Sequence, residues 1–194
     1  FLMNTEEMLN EFDFIDKEKA YEIVVTNTNK IAEIVENVEV VKKELYGPKM
    51  ENSAEEMRNI VYTTAHSIYG DTLPEIIDKR LETEVNGIIG GQYDVIYLIA
   101  QKLVKHSNDA GYIVGSRGSV GSSLAATFMN ITEVNPLPPH YICPNCKKCL
   151  FEIDGVSLDK QYGSGFDMPD RTCECGTRMN KQGQNIPFQT FLGF

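Results

Sequence analysis

Apolar residues recur at helical spacing through the first half of the chain, and each recurrence is bracketed by capping or breaking residues. Asn4 or Thr5 opens the first stretch as an N-cap, with Glu6 and Glu7 in the first turn. Met8, Leu9 and Phe12 form its apolar stripe, which predicts a short helix over 4–13. A second helix is predicted from Asp16 to about Ile34, carried by Ala20, Ile23, Val24, Ile31 and Ile34. Asn27-Thr28-Asn29 is its weak point, because these side chains compete for backbone hydrogen bonds. The carboxylates here read as a solvated face. Residues 38–52 read as a connector, with a little extended structure at Val38-Glu39-Val40-Val41 and a break at Gly47-Pro48. Ser53, with Glu56 three residues on, forms a capping box for a helix through Ile68 that stops at Gly70. His66 within it reads as a surface or partly buried histidine, since no other His or Cys is near in sequence. Pro74 at the first helical position starts a further helix through Leu81, Val85 and Ile88-Ile89, ended by Gly90-Gly91. Tyr93 to Leu103 is strongly apolar and predicts a buried helix, with Lys102, Lys105 and His106 at its C-terminal end.

Past Asp109 the pattern changes. Tyr112–Val114 is a short apolar run that predicts a strand. It breaks into Gly115, Gly118 and Gly121, with Ser116, Ser119, Ser122 and Ser123 among them, and an Ala-rich helix is predicted from near Ser122. Glycines admit positive φ and close approach of backbone to a ligand. A strand, glycine loop and helix in succession aim N–H groups and a helix N-terminus at an anion. The hydroxyls add donors, and Arg117 adds a permanent forked cation suited to phosphate oxygens. No Lys-Ser/Thr pair closes a Walker A loop, and the glycine spacing is not the dinucleotide G-x-G-x-x-G. A plain Gly/Ser turn would share this composition; the central arginine favours a phosphate site. Asn135-Pro136-Leu137-Pro138-Pro139 then reads as a stiff extended linker, after which a new module begins.

Apolar content of 42 % and charged content of 24 % over 194 residues are those of an ordinary globular protein with one good core or two small ones. No run approaches the roughly 20 apolar residues of a membrane span, and the start lacks the basic and apolar regions of a signal peptide. The absent initiator Met and the apolar finish at Thr190–Phe194 suggest a piece of a larger protein. The net charge of −10 is uneven: positions 1–90 hold 19 acidic and 9 basic residues, whereas positions 91–194 hold 9 of each. The half with the glycine loop thus carries no repulsive field, and neither half has the basic surplus of a self-sufficient DNA-binding domain.

All five cysteines fall between 143 and 175, as Cys143-Pro-Asn-Cys146-Lys-Lys-Cys149 and Cys173-Glu-Cys175-Gly176. Closely paired cysteines in a chain without a secretory signal read as a thiolate zinc site rather than disulfides. Cys143, Cys146, Cys173 and Cys175 are the chosen ligands, with Cys149 spare; the alternative exchanges Cys149 for one of the C-x-C pair. Four sulfurs close the coordination shell, so the site is structural, and a module this small needs its metal to fold. His140 stands three residues before Cys143.

The residues Gly115-Ser116-Arg117-Gly118-Ser119-Val120-Gly121-Ser122-Ser123 and Ile131-Thr132-Glu133-Val134-Asn135-Pro136-Leu137 resemble the family of bacterial replicative DNA polymerase III alpha subunits. The cysteine segment and the tail Ile186–Phe194 resemble its PolC type in particular, and Asn4–Leu9 and Val95–Ile99 match as well, so the resemblance spans essentially the whole chain. It implies an α+β fold: a helical N-terminal half, a polymerase-beta-like palm portion and a small four-cysteine zinc-binding module. The implied parts are 1–50, a helical connector out of the family's PHP domain; 51–139, the palm portion; 140–182, the zinc module inserted in the palm; and 183–194, the return to the palm. The resemblance assigns Gly115, Ser116, Arg117, Gly118, Ser119, Gly121, Ser122 and Ser123 to the triphosphate of an incoming deoxynucleotide.

It further implies a cytoplasmic bacterial enzyme working with primer-template DNA, the rest of the polymerase and a sliding clamp, and no membrane. Structural Zn2+ and catalytic Mg2+ are the implied metals. The family's D-x-D aspartates, which hold magnesium, follow the phenylalanine-rich tail, and no D-x-D occurs in this chain; Asp167 and Asp170 belong to a turn beside the cysteines. Nucleotidyl transfer requires two metals held by carboxylates, so the chain alone is expected not to polymerise DNA and contributes no catalytic residue. The exonuclease and the metal motifs of the PHP domain are likewise outside it. Lys147-Lys148 beside the cysteines reads as a solvated pair or a contact to DNA backbone. The competing class is a zinc-stabilised interaction module whose loop is only a turn and binds no nucleotide.

Overall fold

The computed structural model describes residues 2–38, 40–41 and 46–188, and the chain divides into two compact units, 1–47 and 48–194. The first unit opens with helix α1 (Thr5–Glu11). Asn4 is its cap: the Asn4 side chain accepts the Glu7 N–H, and Glu7 accepts the Asn4 N–H, both at 2.9 Å. The single helix predicted over Asp16–Ile34 forms instead as α2 (Lys17–Tyr21), a π turn (Glu22–Thr26) and α3 (Asn27–Ile34). The interruption lies just before the expected weak point, and Asn27-Thr28-Asn29 itself opens α3 as regular helix. The Thr28 hydroxyl donates to the carbonyls of Val24 at 2.5 Å and Val25 at 2.9 Å, competing with the regular ladder. Among the described residues of this unit only Ala20 is buried; Leu9, Phe12 and Val24 are half-buried, and Met8, Ile23, Ile31 and Ile34 are exposed. Val38, Val40 and Val41 form no strand, and Glu39 lies outside the described residues.

The second unit is built on α4 (Ser53–Tyr69), α5 (Glu75–Gly90), α6 (Asp94–Asp109) and a short α7 (Leu124–Phe128). Met57, Val61 and Ala65 from α4 and Ile77, Leu81, Val85 and Ile88 from α5 recur every three or four residues and are fully buried. Leu98, Leu124, Phe128 and Leu137 join them in one core. Each of these Val, Leu, Ile, Phe and Met side chains contributes roughly 1.5–3 kcal/mol by leaving water.

Several predicted details are corrected. Asn52, in the left-handed region at φ 56°, precedes α4 and its side chain caps nothing. Ser53 is the first helical residue, and Glu56 pairs with Lys102 at 3.4 Å, so the capping box does not form. Pro74 is the cap of α5 and not its first residue. The apolar block at Tyr93–Leu103 is an amphipathic helix, not a buried one: Val95, Tyr97 and Leu98 face the core while Ile96 and Leu103 are exposed. Tyr112–Val114 is no strand, because a strand needs a hydrogen-bonded neighbour and none is present among the described residues. Ile113 is 99 % exposed. The helix expected near Ser122 divides into a 3-10 turn (Ser119–Ser122) and the five-residue α7.

Nor is Asn135–Pro139 a free linker. Pro136, Leu137 and Pro139 are buried. The return segment pairs with it through N–H donors of Gln184, Asn185 and Ile186 to the carbonyls of Asn135, Leu137 and Pro136, each at 2.9 Å.

The cysteine region holds a three-stranded antiparallel sheet of β1 (His140–Ile142), β2 (Cys149–Leu150) and, after β3 (Glu152–Ile153) and β4 (Val156–Ser157), β5 (Asn180–Gln182), in the order β2-β1-β5. Successive β1 side chains serve opposite sides. Ile142 joins the helical core, while Tyr141 joins a second core with Leu158, Met168 and Met179. Strands β3 and β4 form a hairpin closed by Asp154 and Gly155, at φ 52° and 77°. That Asp-Gly pair is a strong two-residue turn signal.

Candidate functional site

The glycine loop lies on the surface of the second unit and is held from beneath. Gly118 sits at φ +83° and ψ −153°, a backbone that favours glycine, and turns the chain into the 3-10 turn. A side-chain carbon at Gly115 or Gly118 would meet nothing within 4 Å, so space lies open beside both. Among the described residues none accepts a hydrogen bond from the N–H of Gly115, Ser116, Arg117 or Gly118. Arg117 is exposed and makes no hydrogen bond or ion pair with the described residues. The Ser116 hydroxyl accepts from Thr132 at 2.7 Å. Gly121 is buried, packed toward Val134.

Ser122 and Ser123 differ from the other loop serines. Ser122 Oγ donates to the Ser119 carbonyl at 2.8 Å. Ser123 Oγ donates to Glu84 at 3.0 Å while accepting from the Tyr97 hydroxyl and the Ala126 N–H, both at 3.2 Å. Both residues are buried, so these hydroxyls shape the loop from within. Burial also pushes the Tyr97 hydroxyl pKa up, keeping it a donor.

Three participants were missed in the sequence: Arg80, Glu84 and Tyr97. Glu84 is 0 % exposed. It pairs with Arg80 one helical turn away and accepts the Ser123 hydroxyl and the Ala125 N–H, each at 3.0 Å. Its signal was available, since a carboxylate stood in the apolar stripe Ile77, Leu81, Val85, Ile88 with an arginine four residues before it.

Four of the five cysteines converge. The sulfurs of Cys143, Cys146, Cys173 and Cys175 all lie within 4.8 Å of one another. Cys143–Cys175 and Cys146–Cys173 are each 3.5 Å apart. Tetrahedral zinc with Zn–S near 2.3 Å places its sulfurs about 3.8 Å apart, so the four-sulfur set suits such an ion. The backbone supports thiolates here: the Cys146 N–H first, then that of Asn145, lowers the Cys143 pKa. Thr177, through its hydroxyl and then its N–H, lowers Cys175 to about 6. The Lys148 N–H acts likewise on Cys146, but the sulfurs of Cys143 and Cys173 outweigh it and push that thiol up to about 12. Crowded thiolates of this kind are relieved by a cation at their centre. Cys149 stands apart, packed against the helical core, with its thiol pushed up to about 12 by burial.

A cavity of about 610 Å³ has a lining that includes Thr132, Asn135, Phe166, Lys181 and Gln182. Its floor is tied by a buried chain: Tyr69 bonds His140 Nε2 at 3.0 Å, and Asn135 donates to Tyr69 at 3.1 Å and Gln182 at 2.8 Å. Asp167 caps the 3-10 turn Gly165–Asp167, and Asp170 pairs with Arg178 at 2.6 Å and Lys181 at 3.2 Å, so both serve the surface of the cysteine region. Lys148 pairs with Glu174 at 2.6 Å. No helix among the described residues is long and apolar enough to cross a membrane.

Comparison with known proteins bears on this arrangement. Residues 55–194 match the family model described as the bacterial DNA polymerase III alpha NTPase domain. The chain is 60 % identical over 191 residues to DNA polymerase III PolC-type of Staphylococcus aureus strain Mu3, and 59 % identical over 191 residues to that of strain MW2. Each alignment covers 98 % of this chain and 13 % of the relative, so the chain spans about an eighth of the length of the proteins it matches. The glycine loop, its buried support and the cysteine cluster all fall within the matched residues, and the chain belongs to the family of bacterial DNA polymerase III alpha NTPase domains.

Proposed function

We propose that this chain is the part of a replicative DNA polymerase that receives the triphosphate of the incoming deoxynucleotide, with a structural zinc site beside it. The observation that carries the reading is the backbone of Gly115–Gly118, whose N–H groups find no acceptor among the described residues, next to the exposed Arg117. Unpaired amides and a guanidinium are the groups that phosphate oxygens accept from. Gly115, Ser116, Arg117, Gly118 and Ser119 would face the phosphates. Gly121, Ser122 and Ser123 would complete the site by fixing its curvature, since the two hydroxyls are engaged internally.

Charge neutralisation by Arg117 and the amides would lower the cost of bringing a tetra-anion to a primer end. It would be felt as binding, and further in the transition state if charge there grows on the leaving pyrophosphate. Magnesium supplies activation of the primer hydroxyl when bound, through carboxylates that are not in this chain. Cys143, Cys146, Cys173 and Cys175 would hold zinc with no open position, so the metal holds the two ends of the module together. Primer-template DNA, the rest of the polymerase and a sliding clamp are the partners this reading entails.

Arg117→Ala in the full-length polymerase tests the reading. Loss of a charge-assisted hydrogen bond, about 1.5–3 kcal/mol, should raise the deoxynucleotide KM or lower kcat/KM by roughly 10- to 100-fold. Kinetics within twofold of the parent would favour the competing class, a zinc-stabilised interaction module with no nucleotide site.

A further inference from the structure

We infer that Glu84 and Arg80 are positioning residues that set the shape of the 115–123 loop and its register against the return segment; the inference rests on the triphosphate reading above. A carboxylate taken out of water persists only where partners replace its hydration. Fully buried Glu84 has three: the Arg80 guanidinium, the Ser123 hydroxyl and the Ala125 amide. Two of these lie at the end of the loop and in the first turn of α7.

Arg80 extends the tie. Its guanidinium donates to the Ser122 carbonyl at 2.7 Å and to the Ile186 carbonyl at 3.1 Å, and it lies 5.6 Å from the centroid of the Phe188 ring. One ion pair on α5 therefore joins the loop, the start of α7 and residues 186–188. Apolar side chains of equal volume would fill the space but would not fix the Ser123 hydroxyl and the Ser122 carbonyl. Buried pairs of this kind specify geometry more than they add stability. No hydrogen bond joins Glu84 or Arg80 to Gly115–Gly118. Their effect on a ligand must pass through the loop.

The test uses full-length polymerase carrying Glu84→Gln or Arg80→Lys, with steady-state kinetics on primer-template DNA and thermal unfolding of each variant. The glutamine keeps the shape and loses the charge; the lysine keeps the charge and loses the fork that spans two carbonyls. Expected is a rise of about tenfold or more in KM for all four deoxynucleotides with kcat within threefold of the parent, whatever fall in melting temperature the broken buried pair brings. A purely structural role would lower the melting temperature or kcat and leave KM in place, and that result overturns the inference. If Glu84→Gln fails to fold, Arg80→Lys and Ser123→Ala decide it by the same KM criterion. A raised KM in Arg117→Ala with parental KM in these variants refutes the positioning role alone. Parental KM throughout refutes the triphosphate reading and the inference with it.

Discussion

His140 stands three residues before Cys143, yet its surroundings give it a task other than ligation. It is wholly buried, its ring centroid 4.6 Å from that of Phe151 and 5.7 Å from that of Tyr69. Its Nδ1 lies 2.8 Å from the Pro138 carbonyl, which requires a proton on Nδ1 and leaves Nε2 to accept from Tyr69. Burial lowers its pKa from 6.5 to about 4. The unfolded chain therefore binds more protons between those values. Stability is full above pH 6.5, falls as pH drops toward 4, and levels below it. Denaturant unfolding across that window should show a loss greater in the parent than in His140→Gln by on the order of 3 kcal/mol; parallel pH curves would refute this. Gly183 is the second residue-scale case. It sits at φ +103°, and an added side-chain carbon would collide with the backbone of Leu137 and Pro138. Gly183→Ala should cost more than about 2 kcal/mol, measured as a lowered unfolding midpoint.

Among the elements, the cysteine region has little packing of its own and a four-sulfur cluster that could hold a metal ion. Its strands are two or three residues long and its core is six side chains, which is little to hold a folded module. Zinc is expected to supply what is missing. Elemental analysis should find one zinc per chain in the parent and in Cys149→Ala, and none in Cys143→Ser or Cys173→Ser. Chelation should lower the melting temperature by on the order of 10 °C. Equal zinc loss in Cys149→Ala would mean that the spare thiol is a ligand. The C-x-x-C and C-x-C spacings were readable because knuckle geometry is local. The helices of the second unit were readable for a similar reason, since stripes such as Met57, Val61, Ala65 repeat within one element. The strand expected at Tyr112–Val114 was not, because pairing depends on a neighbour that local pattern does not name.

For the molecule as a whole, the chain holds a loop suited to phosphate and no D-x-D pair. Purified alone, it should give no primer extension with magnesium and all four deoxynucleotides; incorporation above background would contradict the assignment of catalysis to segments outside it. Family membership was within reach of the residues themselves, because the Gly/Ser loop, the Ile131–Leu137 run and the cysteine spacings are contiguous strings whose chemistry is local. The loop's support was not. Arg80 and Glu84 stand about forty residues before Ser122 and Ser123, and Ile186 is 106 positions from Arg80. The left-handed turn at Asn52, the exposed face of α6 and the burial of Pro136 and Leu137 likewise follow from which surfaces meet. Spacing along a chain sets what a segment can form by itself. Which charge is buried, which hydroxyl is consumed and which amide stays open depend on contacts between segments, and those exist only once the core has closed.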